Sequence, residues 1–138
     1  KLSASNKTSR IIKIFKSMGK VYWLKKEKEM NIVTAISGSG PAYFFLFILS
    51  IINAAKKNGF RKKLLSELVY QTANGALVMV RENSNLEKLI KGVCSKGGTT
   101  EAALNILINE KNNLPNLLTK AISEARKRSE EISVHYND

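Results

Sequence analysis

The sequence predicts an all-α body. Three observations carry that expectation. The 138 residues include only two prolines, Pro41 and Pro115. Long stretches place apolar residues at i, i+3, i+4 and i+7, the spacing of one helix face. Glycine and asparagine punctuate the ends of those stretches, as in Asn58-Gly59. At 43% hydrophobic and 25% charged, the composition is that of a globular chain long enough for one domain with a core.

Taken in order, Ser5–Ser17 reads as a short amphipathic helix, with Ile11, Ile12, Ile14 and Phe15 among lysines and Gly19 at its end. Val21–Leu24, "VYWL", reads as a short strand of β-formers. A helix and one lone strand cannot make a sheet. Residues 1–27 are therefore expected to be a helix-strand remnant of an α/β domain plus a linker, and residues 28–138 the helical body. In "SGSGP", Gly38 and Gly40 are expected to break the pattern, and Pro41 suits the first turn of a new helix. That helix should run to about Lys57 and close at Asn58-Gly59, with Phe60 folding back. It is apolar on nearly every side, which places it centrally, between two subunits.

A second long helix is expected from Lys62 to Glu82, with a wide apolar face that includes Leu65, Leu68, Val69 and Ala76. Gly75 lies within it at a cost of about 1 kcal/mol against alanine. Either another helix approaches closely there, or the helix breaks at Asn74-Gly75. "NSNLEKLIKGV" is a short helix capped by Ser84 or Asn85. Glu101–Asn109 is the next helix. The last begins near Asn113, with Leu114, Leu117, Leu118, Ala121 and Ile122 forming its stripe.

The formal net charge of +12 raises the question of nucleic acid or an acidic membrane. The lysines are dispersed, however. The densest runs, "LKKEKE" and "ARKRSEE", are interleaved with acids, and no aromatic alternates with the bases as a stacking platform would need. No nucleic-acid partner is expected. The apolar run "PAYFFLFILSII" is too short for a bilayer, which needs about 20 residues, so no membrane is expected either. Cys94 is the only cysteine, which rules out an intrachain disulfide and points to a reducing, cytoplasmic compartment. His135 is the only histidine, so a Ser-His-Asp triad or a multi-histidine metal site is not expected.

Two junctions remain. In "SKGGTTEAAL", Gly97 and Gly98 leave backbone open to approach, and Thr99 and Thr100 add hydroxyls to a first helical turn. Unpaired N–H groups at a helix start attract anions, so a small carboxylate could sit there; the other reading is an ordinary Gly-Thr cap. "SGSGP" is a second junction of the same kind. Neither matches a Walker loop or a G-x-G-x-x-G dinucleotide fingerprint.

Together and in order, "VTAISGSGPAYFFLFI", "NAAKKNGF", "QTANGALVMV", "SKGGTTEAALNIL" and "EARKRSEE" resemble the C-terminal domain of pyrroline-5-carboxylate reductases, over Val21 to Glu131. The resemblance implies an interdigitating helical dimerisation domain, forming homodimers that assemble further. It implies an enzyme of proline biosynthesis that reduces 1-pyrroline-5-carboxylate with NAD(P)H. The family's substrate loop corresponds to Val93, Ser95, Gly97, Gly98, Thr99 and Thr100. The N–H groups of Gly98 and Thr99 would hold the carboxylate, and the Thr100 hydroxyl would contact the ring nitrogen as the catalytic contact. This chain departs from the family at Lys96, where proline is common. It also lacks the dinucleotide-binding domain, beginning as if inside that domain's last helix. No cofactor is expected on this chain alone; a separate dinucleotide-binding domain would be its partner, and the isolated chain is expected to be inactive. The alternative is a non-catalytic oligomerisation module from a split or decayed gene.

Overall fold

The structure is a computed structural model that describes residues 6–111 and 113–135. It forms two compact units, residues 1–30 and 31–138. The first unit contains α1, Asn6–Met18, which matches the amphipathic helix expected there, although Ser5 and the chain start lie outside the described residues. Ile14, Phe15 and Met18 on this helix are exposed. Val21–Leu24 is not a strand: no strand occurs among the described residues, so "VYWL" has no ladder to join despite its β-forming side chains. Residues 6–27 are therefore a helix and an irregular segment. Near its end the Glu29 carboxylate accepts the N–H groups of Lys25 (3.0 Å) and Lys26 (3.3 Å), tying off the start of α2, Glu29–Val33.

The second unit is helical throughout. "SGSGP" does not break the chain as expected. α2 passes through a π-helical turn, Thr34–Gly38, into α3, Gly40–Lys57. The cause lies in Pro41, which has no N–H to return to the carbonyl four residues back. The ladder loosens by one residue instead, and the Ser39 N–H reaches the Thr34 carbonyl at 3.0 Å. The widened turn is also the best-covered point of the chain: Ala35 is fully buried and Gly40 is buried. The final helix α7, Leu114–His135, packs against this turn, and Ser129 donates to the Asn31 side chain at 2.9 Å. Tyr43 reaches back from α3 to the Ala35 carbonyl at 3.1 Å.

α3 ends as the sequence anticipates. The Phe60 N–H bonds the Ala55 carbonyl and the Gly59 N–H bonds the Lys56 carbonyl, with Gly59 at φ +91. This is the Schellman pairing, which needs a left-handed residue and so favours glycine. α4, Leu65–Glu82, starts three residues later than expected because Lys62–Leu64 form a turn whose carbonyl at Lys62 accepts the Leu65 N–H. It runs unbroken through Gly75, which excludes a break at Asn74-Gly75. A Cβ at Gly75 would meet nothing within 4 Å, so no close helix approaches it within the chain. α5, Leu86–Gly92, is capped by Asn85, whose side chain accepts the Lys88 N–H at 2.9 Å. α6 spans Thr99–Asn109.

Among the described residues, the α3–α4 pair supplies the only buried apolar cluster, Ile52, Leu65 and Val69, with Ile48 and Ala55 against it. Much else is uncovered. On α3, Phe44, Phe45 and Leu46 are each over 60% exposed. The accessible surface is 12509 Å², whereas a folded monomer of this mass should present about 7,200 Å². The apolar helix is also longer than its twelve-residue run: the continuous 29-residue helix Glu29–Lys57 is long and apolar enough to cross a membrane by length and composition.

Because Ala35 fills its site completely, Ala35→Leu should overpack the turn beneath α7. We expect a loss of about 1–3 kcal/mol, read as a lower urea midpoint with an unchanged slope. A variant as stable as the parent would mean that α7 does not grip the turn in solution.

Candidate functional site

The segment between α5 and α6 brings the loop residues into one short arc. Val93 caps α5, is exposed, and lines an apolar groove with Met79, Val80, Leu86 and Ile90. Cys94 is a half-buried free thiol. Ser95 opens a tight turn in which its carbonyl accepts the Gly98 N–H at 2.9 Å. Lys96, exposed, holds the second position of that turn. Gly97 holds the third at φ +72, the region a type II turn demands there. Gly98 is then extended at φ −83, ψ 170 and caps α6, its carbonyl accepting the Ala102 N–H.

A side chain at Gly98 would crowd Ser95. A Cβ there would run into the Ser95 hydroxyl and approach the Ser95 carbonyl at 3.0 Å. Thus Gly97 is required by backbone angle and Gly98 by space. The two glycines are not interchangeable.

The turn also changes which amides are open. The Gly98 N–H is committed to Ser95. Among the described residues, no acceptor meets the N–H groups of Thr99, Thr100 or Glu101, the first turn of α6. Neither threonine hydroxyl has a partner among those residues; Thr99 is exposed and Thr100 half-buried. A carboxylate at this end would meet three unpaired donors, the positive end of an 11-residue helix and two hydroxyls.

Glu101 belongs to the arrangement and was not singled out from the sequence. Its Oε2 accepts the Gly97 N–H at 2.6 Å. The signal was present: a glutamate three residues after the cap is the capping-box position. α6 starts at Thr99, two residues earlier than expected, because Gly98 serves as the cap.

"SGSGP" offers no comparable site, since the π turn carries the helix through it and uses the Ser39 N–H. Among the described residues, no group of three or more His, Cys, Asp or Glu side chains could hold a metal.

Fold and site thus define a class: an all-α assembly domain with an incomplete core and a glycine-threonine helix start. Residues 27–132 match the family described as pyrroline-5-carboxylate reductase dimerisation, and the chain belongs to that family. The pyrroline-5-carboxylate reductase of Vibrio alginolyticus is 41% identical over 121 residues, 86% of this chain and 44% of the relative. The crystal structure of Plasmodium falciparum pyrroline carboxylate reductase with NADP bound has a TM-score of 0.81 at 37% identity, covering 94% of this chain and 49% of that one. The Streptococcus pyogenes 1-pyrroline-5-carboxylate reductase gives a TM-score of 0.84 at 30% identity, covering 95% and 50%. The chain therefore spans about half the length of the relatives it matches.

The turn predicts opposite effects at neighbouring positions. Lys96→Pro places proline at the second position of the turn, where its φ is pre-set, and no bond of the Lys96 N–H is lost. It should stabilise by about 0.4–1 kcal/mol, whereas Gly97→Ala at positive φ should destabilise by more than that. Thermal denaturation of the two variants checks both signs.

Proposed function

We propose that this chain is the dimer-forming and substrate-carboxylate-holding part of a pyrroline-5-carboxylate reductase. The observation that carries the reading is the set of amides at Thr99, Thr100 and Glu101 left unpaired among the described residues, beside a turn in which Gly98 lies tight against Ser95, in a chain of this family. The reaction moves a hydride from NAD(P)H to the C=N carbon of 1-pyrroline-5-carboxylate and a proton to the ring nitrogen, giving proline. In this reading the Thr99 and Thr100 amides hold the substrate carboxylate, with Ser95 and the two glycines shaping the cradle. The Thr100 hydroxyl faces the ring nitrogen. Of the two amides first expected to hold the carboxylate, Gly98's already serves the turn, so the role shifts one residue along α6.

The residues of this chain do not fit a nicotinamide dinucleotide. The sequence has no G-x-G-x-x-G, and no strand among the described residues leads into a helix start. The reductant therefore belongs to a dinucleotide-binding domain outside these residues. The same misfit favours a second reading, a helical oligomerisation module without catalysis.

The partner we propose is a second copy of the chain, in a homodimer that assembles further. Exposed apolar side chains support this: Phe45 on α3, Leu77 on α4, Ile90 on α5, Ile106 on α6 and Leu117 on α7. A lone membrane-spanning α3 would leave the other four uncovered in water. Burying each stabilises by about 1.5–3 kcal/mol. The dispersed lysines support neither nucleic acid nor an acidic membrane as a partner. A cytoplasmic location is part of the proposal, supported by the lone free Cys94.

Purified chain mixed with NADPH and 1-pyrroline-5-carboxylate should show no turnover; activity would overturn the division of labour. Calorimetry with L-proline separates the two readings: binding that Gly98→Val abolishes favours the substrate site, and no binding favours the module. Gly75→Leu, which meets open space within one chain, should give monomers or insoluble protein by light scattering if α4 pairs closely with the second copy. An unchanged dimer would remove Gly75 from the interface.

A further inference from the structure

We propose that Glu101 is a positioning residue for substrate binding, acting through Gly97 and not through the ligand. The inference rests on the reading that the Ser95–Thr100 loop receives a carboxylate. Two hydrogen bonds fix consecutive amides of the loop. The Gly98 N–H closes the turn onto the Ser95 carbonyl at 2.9 Å. The Gly97 N–H, one residue earlier, is drawn to Glu101 Oε2 at 2.6 Å. The first bond lies within the turn. The second joins the turn to the third residue of α6 through a side chain and, with the bond from the Ala102 N–H to the Gly98 carbonyl, sets how the turn sits on the helix that presents the open amides.

The chemistry suits this work. A carboxylate accepting an N–H makes a charge-assisted bond, stronger than a neutral one. Glu101 also lies in the first turn of α6, where the helix end favours negative charge. Gly97 at φ +72 has no side chain to restrict it, so without an anchor on its amide the turn has alternatives. A negative side chain offers nothing attractive to a substrate carboxylate. Its contribution comes from removing the Gly97 amide from competition and holding the Thr99 and Thr100 amides in one orientation.

The test compares Glu101→Ala with Glu101→Gln in the full chain, following the Thr99 and Thr100 amides by NMR. Each is titrated with L-proline and with L-prolinamide, which has the same ring but no carboxylate. Glu101→Ala should weaken L-proline roughly fivefold, the worth of one hydrogen bond, and leave prolinamide unchanged. Glu101→Gln keeps an acceptor oxygen at the same reach and should stay within about twofold of the parent. Parent-like or tighter L-proline binding by Glu101→Ala would overturn the proposal. So would a Glu101→Gln variant as weak as Glu101→Ala, or an equal loss for prolinamide. Gly98→Val keeps the two levels apart. If it binds L-proline like the parent, or the parent does not bind, the carboxylate reading itself falls. If it loses binding while Glu101→Ala does not, only the role of Glu101 fails.

Discussion

The structure depends on a helix that the described residues leave largely uncovered. α3 is 18 residues long, apolar around most of its circumference, and among the described residues of its unit packs against α4 and the π turn alone. Among the described residues, three side chains, Ile52, Leu65 and Val69, form the one buried cluster. Such a cluster cannot offset the conformational entropy of ordering a helical body of this size. The missing apolar burial has to come from outside these residues, and a second copy is the source we propose. The exposed residues are spread over five helices, so a flat partner against one face would leave most of them wet. Helices passing between helices satisfy that geometry, which is why the family's dimerisation role and the surface of the single chain agree.

Against that background, the well-covered π turn has a clear purpose. Pro41 costs a helical hydrogen bond wherever it falls inside a continuous helix. Here the loss sits under α7, where Ala35 is small enough to be fully enclosed and Ser129 bonds Asn31. The C-terminal helix is thereby fastened to the start of α3, leaving the middle of α3 bare. The fastening uses polar and small residues, and the large apolar side chains remain available to the assembly.

The sequence made the helices legible because helices write themselves locally. The Asn58-Gly59-Phe60 stop, the Asn85 cap and the start near Asn113 are each signalled within a few residues. Two features were misread, for different reasons. "VYWL" has strand propensity, but a strand exists only with a partner, and propensity carries no information on that. "SGSGP" has the letters of a break, yet glycine permits an interruption without requiring one, and the burial under α7 decides for continuity. At the candidate site the glycine-threonine start was legible. The commitment of the Gly98 amide and the bond from Glu101 to Gly97 were not, because both depend on the angle at which one short turn meets one helix.

That contrast separates the site from the fold. Every bond that shapes the loop lies between Ser95 and Ala102: Ser95 to Gly98, Gly97 to Glu101, Gly98 to Ala102. None reaches to another helix. The cradle is thus encoded in eight consecutive residues, while the helices around it leave many large apolar side chains exposed. A locally closed loop tolerates large changes elsewhere in the protein. What it cannot tolerate is a change among its own members, because nothing outside them would restore the geometry. Lys96 is the informative case. It occupies the second turn position, whose N–H makes no bond, so its identity alters the stiffness of the turn without altering its pattern, and the hydrogen bonds of the cradle survive the exchange.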